Sequence, residues 1–277
     1  MMLWSNYFRE VFAIQELFQL PAAAAALIFV TATLVLAWSA YGLTRFALCR
    51  NGETRNDLAG PIFTRVGALH ALILALVFAQ ELINVRDIST ASAREAVLVG
   101  DAFYDLARYD PEATLPIRRD LATYVHLVLH EEWALLSEQD TLHPQAWVAW
   151  ENAYEATLDL TPATERQAVL KDIIVSDLRE VSGLRRVREN AAIANIHSLF
   201  MMAAIAGLVL TAAGLFTHAP TVQNTVLLAI FSTYTGLIVF FVVAFSNPYH
   251  SPGVVLPTGF ERLYVGEVAA LGPSLER

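Results

Sequence analysis

Residues 190–260 read NAAIANIHSLFMMAAIAGLVLTAAGLFTHAPTVQNTVLLAIFSTYTGLIVFFVVAFSNPYHSPGVVLPTGF, without one Asp, Glu, Lys or Arg. Two apolar runs, 191–216 and 222–245, are split by Thr217-His218-Ala219-Pro220-Thr221. Each exceeds the roughly 20 residues needed to cross a hydrocarbon core about 30 Å thick. Lipid offers backbone N–H and C=O groups no water, so each run must satisfy them internally as a helix. The short connector makes the pair an antiparallel hairpin, and Pro220 suits the first turn of the second helix. This stretch alone places the chain in a membrane.

Working outward, residues 21–44 form another uncharged run, with Pro21 at a plausible first helical position and Trp38 and Tyr41 in the interfacial aromatic belt. Ahead of it, Arg9, Glu10 and Glu16 stand among Trp4, Tyr7, Phe8, Phe12 and Phe18, as in a segment lying at the membrane interface. The weak n-region and the long run that follows do not fit a signal peptide. A connector, 45–65, holds the turn signals Asn51-Gly52 and Gly60-Pro61. The second span begins near Val66. Its uncharged part ends at Gln80, so a full crossing either includes Glu81 or starts at Ile62 with Arg65 snorkelling. Apolar residues then recur at helical spacing through Val85, Ile88, Ala96, Val99, Phe103 and Leu106, predicting one long helix to Tyr109.

Asp110-Pro111-Glu112 breaks that helix. A second is expected over 116–138, with Leu121, Tyr124, Val125, Val128, Leu135 and Leu136 on one face, and a third over 144–158, with Trp147, Trp150 and Tyr154 on a stripe. Thr161-Pro162 reads as the cap of a fourth, which could continue through Leu170, Ile174, Leu178 and Leu184 into the third span. After the fourth span, Pro248, Pro252, Gly253 and Pro257 predict a turn and then a short strand or coil. The expected fold is therefore an all-α membrane protein with four transmembrane helices and a helical soluble domain between the second and third. Its divisions are 1–84, 85–190, 191–246 and 247–277.

Only 16% of residues are charged, against roughly 25% in soluble domains, which agrees with this reading. The net charge of −9 excludes a basic nucleic-acid face. Cys49 is the only cysteine, so no intramolecular disulfide or Cys-based zinc site is possible. Four spans put both termini and the helical domain on one side. Arg9, Arg86, Arg94, Arg179, Arg185, Arg186, Arg188 and Arg262 lie near membrane ends on that side, against Arg45, Arg50, Arg55 and Arg65 on the other. The imbalance predicts a cytoplasmic domain, although the short 45–65 loop alone favours the opposite.

Three stretches carry a family resemblance. One runs from Ala68-Leu69-His70-Ala71 to Val77-Phe78-Ala79. Another runs from Arg94-Glu95-Ala96 through Phe103-Tyr104-Asp105-Leu106 to Leu121-Ala122-Thr123-Tyr124-Val125. The last pairs Asn247-Pro248-Tyr249 with Pro257-Thr258-Gly259-Phe260. On these the chain resembles the bacterial membrane proteins with a bestrophin-like domain. Bestrophins proper are oligomeric anion channels whose second span lines the pore. The resemblance thus implies a homo-oligomer in the bacterial cytoplasmic (inner) membrane that passes inorganic ions. The chain departs from them in lacking an acidic cluster after the fourth span. It also carries Glu81 where a pore-lining residue is expected, and a carboxylate disfavours anions.

Leu74, Phe78, Glu81 and Val85 share one helical face and are the pore-lining candidates; the same face could instead pack on the other spans. Arg185, Arg186 and Arg188 are candidate anchors to lipid headgroups. His126 and His130 lie one turn apart but have no evident third ligand, so an exposed polar face is expected rather than a zinc site. His70 and His197 suit hydrogen bonds between spans, or a proton relay. No phosphate loop, nucleophile elbow or paired catalytic carboxylates appear, so neither an enzyme nor a cofactor is expected. The functional alternative to a conduit is a membrane-anchored interaction or sensory module.

Overall fold

The computed structural model describes residues 20–48, 59–193, 198–249 and 253–273. All regular structure among them is helical. The elements are α1 (Ala22–Leu48), α2 (Ala59–Tyr109), α3 (Leu115–Leu127), a π-helical turn (Val128–Glu132), α4 (Trp133–Glu138), α5 (Pro144–Leu158), α6 (Glu165–Ile193), α7 (Ser198–Gly214), a 3-10 turn (Leu215–Thr217), α8 (Val222–Ser246), α9 (Thr258–Leu263) and α10 (Gly266–Leu271). Four of these helices are long and apolar enough to cross a membrane. The expected interfacial segment 1–20 lies almost wholly outside the described residues, as do the Asn51-Gly52 turn and the junction of α6 with the third span.

The described residues form two compact units. One gathers 20–48, 59–83 and 198–246; the other gathers 84–193, 247–249 and 253–273. The 51-residue helix α2 contributes to both.

In the first unit small residues set the packing. Ala25, Thr33 and Ala37 are the buried residues of α1, and α8 meets them with Ser232, Gly236 and Ala244. The Thr33 hydroxyl lies 3.0 Å from the Ser232 carbonyl. A Cβ at Gly236 would come within 2.4 Å of the Thr33 Oγ1, so only glycine allows this approach. Such contacts suit spans, where lipid removes the hydrophobic drive between helices and close packing must supply the attraction.

The second unit has an aromatic core. Phe103 and Leu106 of α2, Leu121, Tyr124 and Val125 of α3, and Ile174 and Leu178 of α6 are buried together. Trp150 closes it from α5. Its indole N–H donates to the Leu178 carbonyl at 3.0 Å, and its ring stacks on Tyr154 at 5.3 Å.

Several helix starts differ from expectation for one reason. Pro220 precedes α8 instead of entering its first turn, because Thr221 is the cap: its hydroxyl accepts the Asn224 N–H at 3.3 Å. In the same way α6 begins after Thr164, whose hydroxyl accepts the Gln167 N–H at 3.2 Å, while the Gln167 carboxamide accepts the Ala163 N–H at 2.9 Å. That reciprocal pair outranks the upstream Thr161-Pro162 signal. The tail also differs. It forms α9 and α10 in place of a strand, because Phe260 is held in the core and Pro257 sits at the cap of α9.

Trp150→Ala should lower stability by roughly 3–5 kcal/mol through the lost ring volume. Chemical denaturation of the detergent-solubilised protein measures this. A loss under about 1 kcal/mol would remove Trp150 from the core.

Candidate functional site

The second span turns one face toward its own bundle. His70, Leu74 and Val77 of α2 are 3%, 6% and 8% exposed. Leu74 and Val77 line a small void with Phe200, Met201 and Ala204 of α7 and Val239 and Val242 of α8. The Phe78 ring lies 6.3 Å from Phe241 and 6.1 Å from Phe245. Leu74 is thus covered by its own chain. Phe78 and Glu81 are half-buried. Val85 belongs to the other unit, where it packs beside Ile88 and Leu136. The four candidate residues therefore do not form one open face. The outward side of α2 carries Leu69, Leu72, Leu76 and Ile83, all exposed.

His70 is unusual within this unit. Neither ring nitrogen has a hydrogen-bond partner, although the side chain is buried. It fits because α7 offers Gly207 there: a Cβ would fall 2.1 Å from the His70 Nδ1. One turn along α7, the Thr211 hydroxyl is also buried without a partner. His70 therefore does not make the expected bond between spans, and His197 lies outside the described residues.

The second unit holds a charge cluster that the headgroup reading missed. Arg188 donates from Nε to one Glu95 oxygen at 2.7 Å and from an Nη to the other at 3.0 Å, a bidentate pair. The same Nη lies 2.7 Å from Glu132. Arg185 reaches the other Glu132 oxygen at 2.7 Å and the His143 carbonyl at 3.0 Å. Glu132 also accepts the His143 backbone N–H at 3.0 Å. The Tyr124 hydroxyl donates to Glu95, and the Tyr249 hydroxyl donates to the Arg188 carbonyl. Aromatic rings complete the enclosure, with the Arg188 guanidinium 5.2 Å from the centre of Trp133 and that of Arg185 5.6 Å from Tyr124.

Glu95, Glu132 and Arg188 are fully buried and Arg185 is 2% exposed, so Arg185 and Arg188 cannot reach lipid headgroups. Arg186, between them, is exposed and stays available. Burial opposes the charge of Arg188, yet Glu95 and Glu132 outweigh it and hold its pKa above the ordinary value. Burial, reinforced by the Glu95 charge, pushes the Tyr124 hydroxyl up and keeps it a donor. Two carboxylates and two guanidiniums leave no net charge.

The tail motifs serve this cluster. Asn247 accepts the Tyr249 N–H at 2.9 Å, forming the turn that aims Tyr249 at Arg188. Gly259 lets α9 lie against α2, since a Cβ there would stand 3.0 Å from the Ala96 Cβ. The next residue, Phe260, puts its ring 5.8 Å from the Arg188 guanidinium. Beyond it, Glu267 pairs with Arg118 at 2.5 Å and Tyr264 bonds His126 at 2.9 Å. His126 is therefore buried, not part of an exposed polar face, while His130 remains exposed. No group of three or more His, Cys, Asp or Glu side chains among the described residues is arranged to hold a metal.

These features define a four-span helical membrane protein whose helical unit is organised on a buried ion cluster. The chain belongs to the Bestrophin-like family: the Bestrophin-like domain matches residues 27–259. Solved structures share its fold. A bacterial bestrophin homologue from Klebsiella pneumoniae, crystallised as a point variant, is 12% identical, with a TM-score of 0.62 over 90% of this chain and 99% of that one. The homologue phased on zinc is 11% identical, with a TM-score of 0.62 over 86% of this chain and 95% of that one. A variant described only as a membrane protein is 12% identical, with a TM-score of 0.64 over 89% of this chain and 99% of that one. No curated protein matches the chain.

Glu132→Gln removes the carboxylate shared by two buried guanidiniums. It should destabilise the protein by about 3–5 kcal/mol. Chemical denaturation tests this, and a loss below about 1 kcal/mol would mean that the arginines find water without it.

His126 supplies a pH dependence. Burial first, then the neighbouring His130, hold its pKa below the ordinary imidazole value, against the pull of Glu131. The unfolded chain therefore binds its proton at higher pH than the folded one. The stability contributed is complete above about pH 6.5 and is lost as pH falls through the lowered folded-state value. Unfolding midpoints should drop on the acid side, and His126→Asn should flatten the drop. Equal slopes in the two proteins would refute this.

Proposed function

We propose that the protein is an ion conduit assembled from several copies of the chain in a bacterial cytoplasmic (inner) membrane, with the second span lining the path. The observation that carries this reading is family membership across nearly the whole chain, joined to a fold shared with bacterial bestrophin homologues. The channel activity that the resemblance implies then extends to this chain. The arginine distribution supports termini and a helical unit on the cytoplasmic side. Arg186, exposed at the end of α6, is available to anionic headgroups there.

In this reading the lining falls to the half-buried Phe78 and Glu81. Leu74 packs inside its own subunit, and Val85 serves the helical unit. Apolar side chains repeated around a symmetry axis make a neck that excludes water, and a carboxylate beside it favours cations. Glu81 thus separates this chain from the anion preference of bestrophins proper.

Ion flux into liposomes, with purified protein, tests the proposal. Phe78→Ala should raise leak, and Glu81→Gln should weaken the preference for cations. No flux from the wild type or these variants, across pH and voltage, would sink the conduit and leave a membrane-anchored interaction or sensory module as the better reading. An unchanged ion preference in Glu81→Gln would remove only Glu81 from the path.

A further inference from the structure

The span unit contains a cavity of about 320 Å3 that the conduit does not use. It lies where the first span ends, the third ends and the fourth begins. By span length this is the boundary between hydrocarbon and headgroups. Leu227 and Leu228 form its apolar side, and Tyr41, His218, Asn224 and Thr225 bring polar groups to it.

Arg45 stands one helical turn beyond Tyr41 on α1. One of its Nη atoms donates to the Phe216 carbonyl at 3.0 Å and to the His218 carbonyl at 2.9 Å. The Tyr41 hydroxyl donates to that same His218 carbonyl at 2.8 Å. Arg45 is thereby fixed beside the cavity, with its Nε and second Nη left to donate. No carboxylate among the described residues neutralises it. Glu81 is the only acid among the described residues of this unit, and the salt bridges of the described residues do not include Arg45. The His218 ring adds Nε2, since its Nδ1 lies 3.1 Å from the Thr217 hydroxyl.

A guanidinium that, among the described residues, is held by carbonyls alone, at the headgroup level and beside an apolar cavity, calls for an amphipathic anion. We propose that this cavity binds one anionic phospholipid, with its phosphate on Arg45 and the start of its acyl chains against Leu227 and Leu228. Free phosphate would satisfy Arg45 but leave the leucine side unused.

The test counts bound lipid by native mass spectrometry of the full-length protein in detergent, titrated with phosphatidylglycerol or phosphatidylcholine. Wild type should prefer phosphatidylglycerol. Arg45→Gln should weaken its binding by about tenfold, as for the loss of a charge-assisted contact. Arg45→Lys should keep most of the preference, which separates charge from folding. Thr225→Trp, which fills the cavity, should weaken both lipids. Equal affinity of wild type for the two lipids would overturn the proposal. So would unchanged phosphatidylglycerol binding in both Arg45→Gln and Thr225→Trp. Displacement by inorganic phosphate at matched concentration would show a site for free anions. Dissociation of the oligomer by Thr225→Trp, without loss of lipid per chain, would make the cavity a contact between copies. Either result refutes the lipid assignment.

Discussion

Four ions buried together in the helical unit constrain everything around them. Moving Glu95, Glu132, Arg185 and Arg188 out of water costs several kcal/mol for each ion. That cost is offset only when every charge meets its opposite at hydrogen-bond distance. Arg188 does so with both oxygens of Glu95 and one of Glu132, and Arg185 with the other Glu132 oxygen. A well-packed apolar set of the same volume could match the net stability. The cluster is better understood as fixing register. If α6 rotated or slid by one residue against α2, two guanidiniums would be stranded in an aromatic core. The π-helical turn that ends at Glu132 belongs to the same constraint, since it changes the local helical phase where that carboxylate enters the cluster.

The tail gains its place from the cluster. Asn247-Pro248-Tyr249 and Pro257-Thr258-Gly259-Phe260 look like loop punctuation in a sequence, and the prolines and glycines invite that reading. In the structure they are instruments of aim. The asparagine turns Tyr249 toward the Arg188 carbonyl, and the glycine brings α9 close enough for Phe260 to cover the guanidinium. A C-terminal segment that reads as strand or coil is therefore helical, because its anchoring side chains supply what its local propensities do not.

The spans and the helical core were legible because hydrophobic length and period are carried by the residues themselves. Trp150 and the 144–158 helix followed directly from that pattern. The helix caps were less so: a proline marks the neighbourhood of a start, but Thr164 and Thr221 decide the residue. The ion cluster was also written in the period. On α6 the buried residues Ile174, Leu178, Val181, Arg185, Arg188 and Ala192 follow alternating spacings of four and three. On α2 Glu95 sits in the corresponding row, between Ser92 and Val99. Charges on an apolar row signal buried partners. Proximity to a span suggested headgroups instead, and only the partner carboxylates, distant in sequence, could overrule it. The pore-facing side of the second span was not legible for a related reason. Period identifies a face, but it does not say whether that face meets its own chain or another.

The two units solve one problem by opposite means. In the helical unit, water is available to the unfolded chain, so apolar burial drives assembly and the buried ions then select one arrangement. In the span unit, lipid is as apolar as leucine, so burial selects nothing and small residues must do so through contact. Gly236 against Thr33 and Gly207 against His70 are such contacts, and each is lost with a single added methyl. His70 marks the limit of that economy. Two unpaired ring nitrogens cost roughly 1–3 kcal/mol each, in a unit with little apolar drive to offset them. Close packing over Gly207 is what keeps the ring seated.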